Sequence, residues 1–536
     1  MHIHDMRISF DNSGDPLLDD KALEIFPDSL SIESEEGKVF SARCNGRRAV
    51  THKDVALELC ICRDEEDHVA LEIRLKAVKS RIRRVRLVWE RPLHTHLKFV
   101  GDEWSTGDGT SQWRGMDPRR SFPWYVLVRG SEETAAFGVM TQPAAFASWN
   151  LNPSQITLSL DTRNGTRGVN LDGRTVTLAT IVHCRYERTP MATAKRFCGI
   201  LSQESIPANL PVYGMLSKPR AGRAFDQTAL LKEADTLAAL CNNLTNRPFQ
   251  IIDCGWEEET EDATQWRHGS RNFPDMAALA DELHLRGIRP GISMRLLRDT
   301  DQRLPGEWRH PVNPELLDPS LPEVVEHIRQ NVRQAADWGF EMLRHVSSTT
   351  DALQDVFRDP EAPPTWAFHD QRLTNAEILT RLYRSIKEEM GGMVIYGEDV
   401  AGHLAAGLLH VFRATKDAPG YDWVRCRHNR INALAFRLCQ NEKFYTIDAG
   451  PIDITPPLGW GDVRMLANLV SRSSTAMIVS LDEKSPLTAK ATRELASCFL
   501  NASLGNTVLV PTDWLENTSP EAWMQDGSPI KCHWYE

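Results

Sequence analysis

The sequence predicts a multidomain chain, all-β in its first part and α/β in its second: an antiparallel β-sandwich over residues 1–205, a (β/α)8 barrel over 206–485, and a C-terminal helix with a short β tail over 486–536. Three observations lead there. A chain of 536 residues is longer than one hydrophobic core organises. Its N-terminal part alternates apolar and polar residues with period two between turn signals, which is the pattern of half-buried antiparallel strands. Between Pro211 and Asp482, eight short apolar runs are mostly separated by helix-length amphipathic segments, and eight such units in about 270 residues match the size of a (β/α)8 barrel.

In the sandwich, Val69-Ala-Leu-Glu-Ile-Arg-Leu, Arg84-Val-Arg-Leu-Val-Trp and Thr157-Leu-Ser-Leu carry the period-two pattern, and Asn164-Gly and Asp172-Gly are hairpin turns. Gly101 to Arg120 breaks the rhythm with a long polar segment holding Trp104 and Trp113. Long loops in compact domains are often functional, so one of these indoles is expected to reach the barrel mouth. Pro190 to Leu201 reads as a helical connector.

The barrel runs are Val212-Tyr-Gly-Met, Phe249-Gln-Ile-Ile-Asp, Arg289-Pro-Gly-Ile-Ser-Met, Phe340-Glu-Met-Leu-Arg, Met393-Val-Ile-Tyr-Gly, Leu408-Leu-His-Val-Phe-Arg, Phe444-Tyr-Thr-Ile-Asp and Ala476-Met-Ile-Val-Ser. Most end in polar residues: Asp253, Arg295, Arg344 with His345, Glu398 with Asp399, Arg413, Asp448 and Asp482. The C-terminal ends of parallel barrel strands open on one mouth, so these groups are expected to converge. Among the helices, Ser320-Leu-Pro-Glu323 reads as a capping box, and the segment from Asp275 to Leu285 stops at Gly287. A helix from about Thr488 to Asn501 and the run Thr507-Val-Leu-Val-Pro511 follow, packed against the barrel.

A formal net charge of −11 gives no basic footprint for nucleic acid. The N-terminus lacks the basic and apolar regions of a signal peptide, and no run of about 18 apolar residues occurs, so a cytoplasmic protein without a membrane partner is expected. Eleven cysteines without Cys-x-x-Cys pairs read as free thiols. Fifteen tryptophans tilt the expectation towards carbohydrate, whose rings pack on indole faces. His345, His403, Glu398 and Asp399 are the residues a metal would use, but no tight histidine pair accompanies them, and neither metal nor cofactor is expected. A homo-oligomer stays open.

Phe249-Gln-Ile-Ile-Asp-Cys-Gly-Trp256 sets a carboxylate, a thiol and an indole at one strand end. It is followed by Trp266, Asn272-Phe-Pro-Asp-Met276, Leu283-His-Leu-Arg-Gly-Ile-Arg-Pro-Gly291, Trp338-Gly-Phe-Glu-Met-Leu-Arg-His345, Gly402-His-Leu-Ala-Ala-Gly407, Arg413-Ala-Thr-Lys-Asp417 and Asn432-Ala-Leu-Ala-Phe-Arg437. In this order the motifs resemble the retaining α-galactosidases of glycoside hydrolase family 36. The resemblance implies an N-terminal β-supersandwich before the barrel, with a truncated C-terminal β-domain. It places the family's nucleophile, the Asp of a Lys-x-Asp motif on strand four, at Val346, and the acid/base carboxylate at Asp417. Of the paired aspartates of strand two, Asp253 remains beside Cys254. Glu398 takes the place of a cysteine on strand five, and Asp448 stays on strand seven.

The expected function is therefore a glycoside hydrolase acting on an α-linked, galactose-like or modified glycoside. Asp417 is the candidate general acid, and Glu398 or Asp399 the second carboxylate. Asp253, Trp256, Arg344, His345, Arg413, Asp448, His403, Trp104 and Trp113 are the candidate sugar-binding groups. Val346 cannot form a glycosyl ester, so ordinary retaining turnover is expected to be absent or weak. Two alternatives stay open: an inactive relative that binds a glycan or a partner enzyme, and an isomerase or lyase on the same barrel.

Overall fold

The computed structural model describes residues 26–44, 49–64, 68–94, 96–131, 133–186, 189–202, 204, 206, 208–220, 224–257, 267–299, 304–354, 356–416, 422–455, 458–482 and 486–534. Trp266 and Asp417 of the sequence motifs lie outside them.

Two antiparallel sheets open the fold. One has six strands in the order Val39–Arg43, Ser29–Ser34, Ile82–Trp89, Gln155–Asp161, Phe146–Asn152 and Ser121–Pro123. The other has seven: Ala49–His52, Val55–Asp64, Val69–Ala77, Thr175–Tyr186, Thr134–Val139, Tyr125–Arg129 and Lys98–Gly101. Alternation puts Leu71, Ile73 and Leu75 inside, together with Val85 and Leu87. Trp149 of the first sheet packs against Trp89 at 6.0 Å and, across the interior, edge-on against Phe137 of the second at 4.8 Å.

The barrel strands are β1 (Tyr213–Ser217), β2 (Phe249–Ile252), β3 (Arg289–Met294), β4 (Met342–Val346), β5 (Val394–Glu398), β6 (Val411–Arg413), β7 (Thr446–Asp448), β8 (Ile452–Ile454) and β9 (Met477–Leu481). They form one parallel sheet in the order β7-β6-β5-β4-β3-β2-β1-β9-β8, and a parallel bridge between Asp448 and Ala476 joins β7 to the start of β9. The seventh of the eight apolar runs thus ends at Asp448, and the short β8 follows it before the next helix, Trp460–Ser471.

Helix starts follow their caps: Asp226, Asp275, Thr374 and Thr488 each accept from a backbone N–H three residues on. The capping box at Ser320 does not form. The helix runs Pro322–Asp337 with Leu321 as its cap residue. Pro322 has no N–H to satisfy, and the Ser320 hydroxyl instead accepts from the Asp370 N–H at 3.1 Å. The last helix, Ala489–Leu504, packs against the helix Gln227–Leu240, the helix Trp460–Ser471 and β1, and a small sheet of Leu509–Pro511, Ala522–Gln525 and Ser528–Lys531 follows it.

The sandwich grips the barrel through the Asn164-Gly hairpin. Arg163, 1% exposed, donates to the carbonyls of Val356 and Asp359 at 3.0 Å each. Asn164 donates to Asp370 and Leu373, and Gly165 exchanges hydrogen bonds with the Asn375 side chain at 2.7 and 2.9 Å. No helix among the described residues is long and apolar enough to cross a membrane.

Candidate active site

Residues two apart on a strand share a face, and in the barrel this decides what meets at the mouth. Phe249 and Ile251 of β2, Met342 of β4, Val394 and Tyr396 of β5 and Val411 of β6 join Val212, Leu216, Ala476 and Ile478 in one buried cluster. Continuing the same parity towards the strand ends gives Asp253 after β2, Arg344 and Val346 on β4, Glu398 on β5 and Arg413 on β6. A polar layer thus stands on a dry plug. Pairing between strands keeps the layer in register: Ser293 lies opposite Arg344, Arg413 opposite Asp448, and Val346 opposite Glu398.

Arg344 is the hub. Its side chain is 4% exposed, and Nη1 donates to Asp253 Oδ1 at 2.7 Å and to Ser293 Oγ at 2.8 Å, while Nη2 donates to Glu398 Oε2. Arg413 Nη1 lies 2.8 Å from Glu398 Oε1, so each Glu398 oxygen has a guanidinium. Burial works against the Arg344 charge, yet Glu398 and Asp253 outweigh it and raise its pKa above the ordinary value. Beside this network the Tyr396 hydroxyl donates to Asp448 Oδ2, and the Gly450 N–H donates to Asp448 Oδ1 at 2.8 Å. Burial pushes the Asp448 carboxyl up, against the pull of these partners and of Arg413.

Further ion pairs ring the strand ends. Asp453 on β8 receives Lys218 at 2.8 Å and Arg430 at 3.2 Å, Arg220 lies 3.3 Å from Asp482, and Arg295 holds Asp351 through two bonds of 2.6 and 2.8 Å. Asp399 follows Glu398 with a left-handed backbone, φ 52°, and its carbonyl accepts from the Thr349 N–H at 3.1 Å. Its Oδ1 is enclosed without a hydrogen-bond partner among the described residues.

The structure brings Asp253, Arg344, Glu398, Arg413 and Asp448 of the sequence candidates together, but it sets several others elsewhere. His345 has the opposite parity to Arg344, so its ring leaves the mouth for the helix layer, where Nδ1 lies 2.7 Å from Ser348 Oγ and the ring 5.9 Å from Tyr383. His403 stacks on Trp124 of the sandwich at 4.9 Å, with Nε2 2.8 Å from the Val139 carbonyl. Burial pushes both imidazoles down to about 4. Trp256 is fully enclosed: its indole N–H donates to the Ser293 carbonyl at 2.9 Å and the ring meets Trp338 edge-on, leaving no face for a sugar.

Trp104 wedges between Trp124, Phe146 and Phe357, and Trp113 is buried against Trp514. Their loop does reach the rim, by backbone: the Gly107 N–H donates to the Ala414 carbonyl at 2.8 Å and the Lys416 N–H to the Gly107 carbonyl at 3.3 Å. Sequence reasoning passed over Ser293 and Tyr396, which sit inside apolar runs. Counting inward positions back from Arg344 and Glu398 would have found Tyr396; Ser293 needs the register of β3 against β4.

No family model matches the chain, and no curated protein matches it in sequence. Solved structures do match in fold. An α-galactosidase from Thermus thermophilus in complex with p-nitrophenyl α-D-galactopyranoside superposes with a TM-score of 0.59 at 16% identity, over 89% of this chain and 96% of that one. A family 36 α-galactosidase from Geobacillus stearothermophilus in complex with raffinose gives 0.60 at 12% identity, over 98% and 84%. A family 31 dextranase from Flavobacterium johnsoniae complexed with isomaltotriose gives 0.52 at 10%, over 89% and 68%. At such identities the likeness is one of architecture: this chain has the β-sandwich and barrel fold of these glycoside hydrolases.

Proposed function

We propose that the barrel mouth binds and slowly cleaves an α-linked, galactose-like glycoside, with Glu398 as the anionic partner of the reaction and Asp417 as its general acid. The observation that carries this reading is the register of β4 and β5. Glu398 stands opposite Val346 in the same inward layer, one strand away from the position at which the resemblance puts a nucleophile. Neighbouring strands are about 4.8 Å apart, so a carboxylate on β5 can face the same sugar from a shifted angle. Its side chain is 22% exposed, at the top of the plug.

Glu398 is not an unburdened nucleophile. Arg344 and Arg413 each hold one of its oxygens, so the lone pairs a nucleophile would use are already engaged. Its role is to face the positive charge that develops on the sugar ring in the transition state, while Asp417 protonates the departing oxygen and solvent water adds to the anomeric carbon, its released proton restoring Asp417. Asp253, its side chain 25% exposed, orients a sugar hydroxyl, and the enclosed Arg344 and Asp448 hold the polar network in place.

The test is turnover of p-nitrophenyl α-D-galactopyranoside by the wild type and by Glu398→Gln, Asp417→Asn and Val346→Asp. Slow wild-type turnover is expected, falling about 10²–10⁴-fold in the Glu398→Gln and Asp417→Asn variants. Turnover indifferent to both changes would overturn the assignment. The double arginine clamp also favours a second reading, a glycan-binding protein without turnover. Sugar binding sensitive to Glu398→Gln, with no hydrolysis over a panel of α- and β-glycosides, would select it.

A further inference from the structure

On the outer face of the barrel, the helix Trp460–Ser471, the helix Ala489–Leu504 and the tail strand Ser528–Lys531 enclose a groove of about 320 Å³ that shares no residue with the mouth network. Trp460, Arg464, Asn468 and Arg472 line it at intervals of four, so they form one stripe along the helix and its cap, about 18 Å long. Lys531 faces them from the tail.

The groove gathers three cations, Arg464, Arg472 and Lys531, around one carboxylate, Glu494. The chain is acidic, with a net charge of −11, and on the barrel helix Pro322–Asp337 the half-buried Arg329 and Arg333 pair with Glu388, Glu326 and Glu389. Among the described residues, Arg464, Arg472 and Lys531 make no salt bridge; Arg472 reaches only the Gln525 amide, at 3.3 Å. The one carboxylate in the groove, Glu494, is already engaged, accepting from the Trp460 indole N–H at 2.6 Å and lying 3.8 Å from Lys490. That hydrogen bond also fixes the orientation of the half-buried indole.

We propose that this groove is a second carbohydrate site, separate from the mouth, that takes an anionic oligosaccharide bearing uronate or sulfate groups. An indole offers the apolar face of a sugar ring a platform, and guanidinium groups pair with carboxylate or sulfate oxygens through two parallel bonds. Asn468 adds a side chain that both donates and accepts towards hydroxyls. The choice of a carbohydrate rests on the proposed function; the anionic character rests on the groove alone. Nucleic acid fits poorly, because beyond this narrow strip the charge balance of the chain repels a polyphosphate.

Calorimetric titration of the full chain with trigalacturonate, with a sulfated carrageenan tetrasaccharide, with raffinose and with inorganic sulfate tests the proposal. At least one of the two anionic oligosaccharides should bind, about tenfold more weakly in Arg464→Glu and in Lys531→Glu and more weakly as salt is raised. Which of the two binds identifies the anion. Trp460→Phe keeps an aromatic ring but loses the bond to Glu494, and it should weaken binding without changing its salt dependence. Glu398→Gln should leave this binding intact while lowering turnover of p-nitrophenyl α-D-galactopyranoside at the mouth, so failure at the mouth and failure at the groove are told apart. Binding of neither anionic sugar, affinity unchanged in both charge-reversal variants, or equal affinity for sulfate alone overturns the proposal.

Discussion

At the scale of single residues, burial and partners decide what each titratable group contributes. His345 and His403 are fully enclosed, and desolvation depresses both to about 4. An unfolded histidine titrates near 6.5, so between that value and about 4 the unfolded chain binds protons that the folded chain refuses. The contribution of these histidines to stability is therefore complete above about pH 6.5 and is lost as the pH falls towards 4. A glutamine at His403 can keep the bond to the Val139 carbonyl without the titration. His403→Gln should lose about 2–3 kcal/mol less stability than the wild type between pH 7 and pH 4.5. Denaturant unfolding at the two pH values measures this, and identical losses in both proteins would refute it. The same enclosure explains why sequence candidates of the right chemical type, His345, His403 and Trp256, hold structure together rather than meet a ligand.

At the scale of elements, the helix Asn375–Glu388 shows how one cap can serve two tasks. Thr374 accepts from the Glu377 N–H at 3.1 Å and Glu377 returns a bond to the Thr374 N–H at 3.0 Å, while the threonine hydroxyl also donates to the Ala144 carbonyl of the sandwich. Glu377 in turn pairs with Arg174 of the sandwich at 2.6 Å. Thr374→Ala should cost about 1–2 kcal/mol, and Thr374→Ser, which keeps the oxygen, much less. Thermal unfolding of the pair checks the prediction, and equal losses would show that the methyl group rather than the hydroxyl matters. Strand parity works at this same scale. It separates Arg344 and Val346, which face the mouth, from His345 between them, and it sets Glu398 inward, level with Val346.

At the scale of the whole molecule, sandwich and barrel meet where the hairpin turn at Gly165 enters the connection between β4 and β5. Gly165 has φ 58°, and a methyl group there would come within 2.6 Å of the Trp366 ring and 2.7 Å of its carbonyl. Only glycine fits both the backbone and the contact. Gly165→Ala should therefore destabilise the chain by about 2–4 kcal/mol. Because the contact joins the two parts, the loss should appear in the unfolding of sandwich and barrel alike. Calorimetry reads both, and a loss below about 0.5 kcal/mol, or one confined to the sandwich, would contradict the account.

The sequence by itself determined the architecture, because periodicity is local: period-two runs and hairpin turns mark the sandwich, and eight apolar runs with polar ends mark the barrel strands. It also brought Asp253, Arg344, Glu398, Arg413 and Asp448 into view, since a polar residue that ends an apolar strand has few places to go but the rim. The tertiary structure decided what sequence spacing does not encode. The register between strands put Glu398 beside Val346 and both arginines on Glu398. Packing of the sandwich against the barrel enclosed Trp124 with His403, set the Trp104 ring against Trp124, and buried Trp113 against Trp514. Such pairings depend on which distant segments come into contact, and a local pattern carries no record of its partner.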